Sequence, residues 1–255
     1  MLDILADFTW DADPVFFTLG PLTVRYYGVL FATAILSGYM ILRKQFELAG
    51  DDVEDAENLF LTLFVCILIG ARVGHVVFYE WLPGFLPSDP PKPNRLLENP
   101  AKELGYLFQI WKGGLASHGA TIGILTGIWI GARKLKVSYF TISDRLSIGV
   151  AFGSMFIRLG NFVNSEVMGA VTQVPWAVRF PRYDHLPANL APLRHPSQLY
   201  EVGIGLGIYL VLRLVDRIYG IKQRPRGLPT FLFLAIYFTS RFAVEFFKAH
   251  QVQKL

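Results

Sequence analysis

Six long apolar segments, separated by polar connections, constrain this chain more than any other feature. They cover about residues 24–42, 59–79, 115–131, 141–157, 198–212 and 228–247. Several approach the roughly 20 residues that an α-helix needs to cross a bilayer, and the shorter ones are expected to extend into their flanks. The pattern predicts an all-α fold, a polytopic integral membrane bundle of six spans, organised as a single membrane-embedded domain over residues 1–255.

A soluble α-helical domain is the alternative, and the charge content argues against it. Charged residues make up 17% of the chain, whereas soluble domains carry about 25%. The net charge of +4 predicts no nucleic-acid partner, because the basic residues mostly flank apolar segments. The one cysteine, Cys66, excludes an intrachain disulfide and a cysteine-based metal site.

The basic residues also predict which way the helices face. If the segments alternate in direction, the connections at 43–58, 132–145 and 213–227 share one side and hold 2, 4 and 5 Lys or Arg. Short connections rich in basic residues face the cytoplasm. The N-terminus and the long, irregular connections at about 80–114 and 158–197 are then expected on the outer side.

Polar side chains within the segments gather in the outer half of the membrane under this topology. They are Arg25, Tyr26, Tyr27, Arg72, His75, His118, Arg158, Gln198, Tyr200, Glu201, Arg241 and Glu245. A charged group in hydrocarbon is costly, so it is a functional candidate. Because the arginine fork donates hydrogen bonds in pairs to phosphate, the set predicts an outer-leaflet site for a phospholipid headgroup, with a histidine available for proton transfer.

Structural roles fit some of these side chains equally well. Arg72 is also explained as an interfacial anchor, His75 as a hydrogen-bonded packing residue, and the tyrosines at 26–27 as part of an aromatic belt. Arg241 and Glu245 stand four residues apart on a helix, so they are expected either to neutralise one another or to orient the arginine for a ligand.

The stretch "RLGNFVNSEVMG" at 158–169 directly follows an apolar segment and carries an Arg, two Asn, a Glu and two Gly. Five further stretches accompany it: "RYYG" (25–28), "GARVGHVVFY" (70–79), "GGLASHG" (113–119), "RHPSQLYE" (194–201) and "SRFAVEFF" (240–247). In this order, over nearly the whole chain, they resemble the bacterial prolipoprotein diacylglyceryl transferases, whose signature is R-x-G-N-F-x-N-x-E-x-x-G.

The resemblance implies an activity in the bacterial inner membrane. Such enzymes transfer the diacylglyceryl group of phosphatidylglycerol to the lipobox cysteine thiol of a preprolipoprotein, which forms a thioether and releases glycerol phosphate. This is the first step of lipoprotein maturation. The N-terminus and the active site are expected on the periplasmic side, and neither a metal nor an organic cofactor is expected.

The matching positions supply the expected site residues. The expected catalytic residues are His118, Arg158, Glu166, Arg241 and Glu245. The expected phosphatidylglycerol-binding residues are Tyr27, Arg158, Asn161, Gly169, Tyr237 and Arg241.

Each of these positions has an expected role. Arg158 and Arg241 are expected to hold the phosphate, with Asn161 donating to the headgroup or holding Arg158. The two glutamates would orient the arginines or the histidine, and the tyrosines would contact the lipid. His118 is expected to be the general base for the thiol or a headgroup ligand, or else a structural histidine; the sequence leaves these open.

Two departures from the family pattern stand out. Ala120 occupies a position where a second glycine usually follows the His-Gly motif, and the sequence ends at "KAHQVQKL", where relatives usually continue into a seventh span, which is therefore expected to be absent. A transporter or flippase for an anionic solute remains the main alternative, and a non-catalytic lipid-binding scaffold a third. The long outer connections are expected to hold the incoming signal peptide or simply to anchor the protein at the interface.

Overall fold

The computed structural model describes residues 8–86, 94–109 and 113–249. Most of the proline-rich stretch in the first long connection, 87–93, lies outside the described residues, as does the tail from residue 250 onward. The expectation of an absent seventh span falls on that tail. The described part of the chain is mostly helical, which confirms the predicted all-α class.

The α-helices vary from one turn to seven turns in length. They are α1 (Tyr26–Ala49), α2 (Val53–His75), α3 (Arg95–Glu98), α4 (Pro100–Leu107), α5 (Ser117–Lys134), α6 (Tyr139–Val163), α7 (Pro181–Asp184), α8 (Ser197–Tyr219) and α9 (Leu228–Glu245). A π-helical turn, Val76–Trp81, and a 3-10 turn, Leu82–Phe85, continue α2.

Among the described residues, five helical segments are long and apolar enough to cross a membrane: α1, Val53–Phe85, α6, α8 and α9. The chain is therefore a polytopic helical membrane protein. The third predicted span forms a helix too, α5, but polar residues occupy both of its ends, from Ser117 and His118 to Arg133 and Lys134. A count of six spans stays a prediction. The shorter predicted segments do extend into their flanks.

Helix α6 runs farther than the sequence predicted. The stretch from Arg158 was expected to open the outer connection, but the helix continues to Val163. The amide of Asn164 donates to the Gly160 carbonyl at 3.0 Å, so the helical hydrogen bonds continue past Arg158. Arg158 and Asn161 are therefore fixed on a helix, and the connection begins only at residue 164.

Both long connections contain regular structure where the sequence predicted irregular loops. The first includes α3 and α4, and the second includes α7 and two short strands, β4 (Val178–Arg179) and β5 (Leu193–Arg194). Three strands precede α1: β1 (Phe8–Thr9), β2 (Val15–Leu19) and β3 (Leu22–Arg25). β1 pairs in parallel with β4, which pairs antiparallel with β5, and β2 and β3 form a hairpin. Strands of two residues are too short to leave an alternating pattern.

The chain divides into two compact units. One comprises residues 1–49 and 144–255, and the other comprises Gly50–Ser143. We call them the first and the second unit. The single domain over residues 1–255 stays a prediction.

The second unit is built on the close antiparallel packing of α2 and α5. Glycine recurs at every fourth position of α5: Gly119, Gly123, Gly127 and Gly131. A Cβ added to Gly119 would lie 2.1 Å from the Gly70 carbonyl oxygen, and one added to Gly123 would lie 2.2 Å from that of Cys66. The backbones touch, as small residues permit between membrane helices, so no larger side chain fits at Gly119 or Gly123.

In the first unit, α1, α6, α8 and α9 contribute to a core around four fully or nearly fully buried residues: Ile148, Ala151, Ile208 and Leu212. Helices α1 and α6 cross closely, since a Cβ on Gly149 would lie 3.1 Å from the Gly38 carbonyl oxygen. These contacts fix the ends of α6, α8 and α9 relative to one another, and the polar side chains at those ends are positioned by them.

One polar network in the first unit lies near the C-terminal end of α8. Gln45 Nε2 donates to Asp216 Oδ2 at 2.8 Å, and buried Arg224 pairs with the same carboxylate. Arg224 Nη1 also reaches Gln45 Oε1 at 3.4 Å. The carboxylate has a partner on each oxygen, so this network is a closed structural contact.

Candidate functional site

Three cations converge on one buried carboxylate, that of Glu201. Arg241 Nη1 lies 3.0 Å from Glu201 Oε1, and Lys248 Nζ lies 2.6 Å from the same oxygen. Arg158 Nε pairs with the other oxygen, Oε2. The Glu201 side chain is 8% exposed, so its ion pairs are shielded from water and are stronger than surface pairs. We call these four residues the Glu201 cluster.

Four separate parts of the first unit supply the cluster. Arg158 comes from the end of α6, Glu201 from the second turn of α8 and Arg241 from the last turns of α9. Lys248 follows α9 in a short backbone pairing with the segment around Gly169, because Ala170 N–H donates to the Phe247 carbonyl at 2.8 Å and Ala249 N–H to Met168 at 3.1 Å. The helix packing and this backbone pairing together fix the geometry of the cations.

A cavity of about 230 Å³ adjoins the cluster. Its lining residues are Ser154, Ile157, Arg158, Glu201, Ile204, Gly205, Tyr237 and Arg241. Tyr237 stacks on Phe233 with ring centroids 5.7 Å apart, which orients its ring. The cavity therefore combines a cationic end with isoleucine and tyrosine walls, as suits an amphiphile with an anionic headgroup.

The charges at the cavity do not balance. Arg241 Nη2 also pairs with Glu245 Oε2 at 2.9 Å, which confirms the predicted pairing four residues apart, but Glu245 is 61% exposed and is largely solvated. Burial lowers the pKa of Lys248, and Glu201 acts in the opposite direction. Three cations thus share one buried carboxylate, so the site carries an excess of positive charge that favours an anion.

Asn161 and Glu166 form a separate group beside the cluster. Asn161 Nδ2 donates to Glu166 Oε2 at 3.3 Å, and Asn164 Nδ2 donates to Oε1 at 3.2 Å. Glu166 was expected to orient an arginine or histidine, but the partners that the structure shows are these asparagines. Ser165 and Val167 on either side of it have φ of +54° and +57°, an unfavourable conformation for such residues. The strained turn holds the Glu166 carboxylate beside α6.

Tyr27 and Gly169 are placed by close backbone contacts. A Cβ added to Gly160 would lie 2.7 Å from Tyr27 Cδ2, so the missing side chain makes room for the tyrosine ring. A Cβ added to Gly169 would lie 2.2 Å from the His195 carbonyl oxygen. Both glycines are therefore required by packing in the first unit, and neither of the two expected binding residues lines the cavity.

Arg72 belongs to the second unit, and the structure gives it a structural role. Its guanidinium donates to the carbonyls of Tyr106 at 2.5 Å, Leu107 at 3.2 Å, Gly113 at 2.6 Å and Gly114 at 3.2 Å. The group also lies 4.3 Å from the centroid of the Tyr106 ring. The residue is 2% exposed, so it fastens the connection between α4 and α5 to α2.

The two histidines of the second unit differ from each other. His75 Nε2 lies 3.5 Å from Glu80 Oε1, and its ring packs where a Cβ on Gly114 would lie 2.4 Å away, which fits the packing role. His118 is exposed at the start of α5, and it has no polar partner among the residues that the structure describes. His118 is thus available to a substrate.

Sequence reasoning missed two members of the cluster. Glu201 was identified as a polar residue at the start of a span, but it was not assigned a role. A carboxylate within a membrane segment already indicates a functional residue. Nothing in the sequence indicated a role for Lys248, because it follows the last predicted span, in a segment interpreted as a tail. Within 8–86, 94–109 and 113–249, no group of three or more His, Cys, Asp or Glu side chains could hold a metal ion.

Comparison with known proteins gives a consistent result along the chain. The profile of the prolipoprotein diacylglyceryl transferase family matches residues 14–255. A phosphatidylglycerol–prolipoprotein diacylglyceryl transferase from Tolumonas auensis is 38% identical over 243 residues, which cover 95% of this chain and 85% of that protein. One of the same name from Bacteroides fragilis is 37% identical over 257 residues, with coverage of 99% and 87%. A third, from Mannheimia succiniciproducens, is 34% identical over 244 residues, with coverage of 94% and 81%.

Proposed function

This chain belongs to the prolipoprotein diacylglyceryl transferase family, and we propose that it transfers the diacylglyceryl group of phosphatidylglycerol to the lipobox cysteine thiol of preprolipoproteins. The reaction forms a thioether and releases glycerol phosphate, as the first step of lipoprotein maturation. We propose that it takes place in the bacterial inner membrane, with the Glu201 cluster and the N-terminus on the periplasmic side. The asymmetry of Lys and Arg between the connections supports this orientation.

The Glu201 cluster is the observation that carries the proposal. Its arginines and lysine exceed the buried negative charge at the site, and the adjoining cavity is walled by Ile157, Ile204 and Tyr237. Phosphatidylglycerol has the matching chemistry: one phosphodiester charge next to acyl chains. In this proposal the phosphodiester accepts hydrogen bonds from Arg158 and Arg241, whose guanidinium groups pair with Glu201 in the structure.

The reaction requires the protein to help deprotonate the thiol and to stabilise the departing phosphate. The substrate thiol must lose its proton, and the thiolate then attacks the glycerol carbon that carries the phosphate. A C–S bond forms, the C–O bond to phosphate breaks with its electron pair going to oxygen, and glycerol phosphate departs. Arg158 and Arg241 stabilise the negative charge that grows on the departing oxygen, by charge-assisted hydrogen bonds in a site of low dielectric. Lys248 adds a third positive charge at the same place.

The remaining expected residues receive supporting roles in the proposal. Tyr237 contacts the lipid from the cavity wall, and Glu245 orients Arg241 through their ion pair. Asn161 and Glu166 hold the turn that follows α6. Tyr27 and Gly169 shape the backbone around it through their contacts with Gly160 and His195.

His118 is the proposed general base or a headgroup ligand, and its pH dependence separates these roles. If it is the base, His118→Gln causes a large loss of turnover that shrinks at high pH, because the thiol ionises by itself near its pKa of about 8.5. If it binds the headgroup, the loss is the same at every pH. A variant with unchanged turnover removes His118 from the site.

A direct assay tests the proposed function. The purified full chain is incubated with phosphatidylglycerol and a lipobox peptide, and the peptide mass is measured. The expected result is an increase equal to one diacylglyceryl group that requires the peptide cysteine and is absent with a Cys→Ser peptide. No mass increase under conditions in which a known relative is active would reject the proposal and favour lipid transport or scaffolding.

A further inference from the structure

A second cavity, of about 620 Å³, borders the C-terminal half of α8. Its lining residues are Leu48, Leu210, Arg213, Leu214, Asp216, Arg217, Gly220 and Ile221. Arg217 follows the Glu201 position by 16 residues on one helix, so the two sites lie about 24 Å apart along α8 at 1.5 Å per residue. The proposed transferase reaction has no use for this cavity.

The arginines at this cavity keep unused hydrogen-bond donors. The nearest carboxylate, Asp216, is already paired with Gln45 and Arg224 inside the helix packing. Arg213 reaches it only at 3.9 Å, and Arg217 has no ion-pair or hydrogen-bond partner in the part of the chain that the structure describes. Two guanidinium groups four residues apart, on one face of a helix, are therefore available to an anion.

Apart from the two arginines and Asp216, whose carboxylate is already paired, the lining of the cavity is apolar, and its leucines face outward. Leu48, Leu210 and Leu214 are 53%, 57% and 55% exposed, and α8 is one of the helices long and apolar enough to cross the membrane. Paired arginines beside exposed leucines, at the end of a membrane helix, match a phosphate headgroup at the interface with acyl chains below it. A free phosphate ion would satisfy the arginines but leave the leucines uncovered.

We propose that this cavity binds an anionic phospholipid, whose phosphate is held by Arg213 and Arg217 and whose acyl chain lies along the leucines. The lipid is a bound structural partner and undergoes no reaction there. The proposal is independent of the transferase function, because it requires neither the Glu201 cluster nor a peptide substrate.

Photocrosslinking of the full chain in nanodiscs tests the proposal. The discs contain phosphatidylcholine with a trace of phosphatidic acid that carries a diazirine in its acyl chain, and the labelled peptides are mapped by mass spectrometry. Phosphatidic acid is expected to label residues 210–221. Arg217→Gln should reduce that labelling at least fivefold, Arg217→Lys should restore part of it, and a phosphatidylcholine probe should label this segment weakly in every variant.

Arg226→Gln is the matched control, because Arg226 lies in the connection that follows α8, is exposed and does not line the cavity. It should leave the labelling unchanged. The thermal unfolding temperature of each variant, compared with that of the original protein, reports that the protein is folded. Equal labelling by phosphatidylcholine and phosphatidic acid, an equal loss in Arg226→Gln, or undiminished labelling in Arg217→Gln would overturn the proposal.

Discussion

Arg72 and Arg158 look alike in the sequence, and the structure separates them. Arg72 donates to four backbone carbonyls, lies over the Tyr106 ring and is 2% exposed. Arg158 pairs with Glu201 alone among the described residues, borders a cavity and has a side chain that is 24% exposed. An arginine that gives four of its five donors to backbone carbonyls, as Arg72 does, stabilises the fold. An arginine with most of its donors left over at a cavity can bind a ligand.

Arg158→Lys gives the sharpest test of this difference, and it should have the largest effect. Lysine keeps the charge but cannot reproduce the paired donors of the guanidinium, so we expect turnover to fall by about 100-fold or more with little change in thermal stability. Diacylglyceryl transfer to a lipobox peptide and thermal unfolding in detergent measure the two quantities.

Arg182→Lys is the control for that substitution, because Arg182 is 37% exposed and lies 3.5 Å from Asp11, its one ion-pair partner among the residues that the structure describes. Its turnover should stay close to that of the original protein. Near-normal turnover in Arg158→Lys would mean that Arg158 does not hold the phosphate.

Arg72→Gln should show the opposite behaviour. Removal of the guanidinium leaves buried carbonyls without donors, so the free energy of unfolding should fall by about 2–4 kcal/mol, while turnover per folded molecule is retained. Arg133→Gln, an exposed change in the same unit, should leave the unfolding temperature nearly unchanged. A stable Arg72→Gln variant with a large loss of turnover would place Arg72 among the ligand-binding arginines instead.

Glu201→Gln tests whether the shared carboxylate orients the cations. The amide keeps the shape of the side chain but no longer attracts Arg158 and Arg241, so we expect kcat to fall about tenfold through misplacement of the guanidinium groups. Glu245→Gln should cost less, because Glu245 is 61% exposed and water screens its pairing. A larger loss in Glu245→Gln than in Glu201→Gln would contradict the central place of Glu201.

The smallest effect on stability is expected at His195, which belongs neither to the contacts of Arg72 nor to the Glu201 cluster. Burial lowers the pKa of His195 below 6.5, and Tyr200 OH lies 3.0 Å from its Nδ1. As the pH falls, the unfolded chain therefore binds this proton before the folded chain does. The contribution to stability is present above about pH 6.5 and is lost below it.

His195→Gln should accordingly flatten the fall in unfolding temperature between pH 7 and pH 5, by less than about 2 °C. The original protein, scanned in the same buffers, serves as the comparison. A steeper slope in His195→Gln would show that the folded state favours the charged ring.

Much of this architecture was predictable from local patterns. The six apolar segments all contain helices because each is long enough to satisfy its own backbone hydrogen bonds, which is what hydrocarbon requires. The Arg241–Glu245 pair was predictable because both residues lie on one helix, one turn apart. The end of α6 was not, because polar residues from Arg158 onward looked like a loop while hydrogen bonds and the packing of Tyr27 on Gly160 extended the helix.

The candidate site was predictable only in part. Arg158, Tyr237 and Arg241 were expected at the site, and they line one cavity. Lys248 was not predictable, since it reaches Glu201 only through the pairing of residues 247–249 with 168–170. No local pattern reports a contact between segments about 80 residues apart.

The sequence by itself determined the membrane-spanning helices and the family, because hydrophobic length and ordered motifs are written along the chain. The tertiary structure alone decided what each arginine does. A guanidinium has five donors, and whether they meet backbone carbonyls, as at Arg72, or a shared carboxylate beside a cavity, as at Arg158, depends on which distant segments folding brings within about 3 Å.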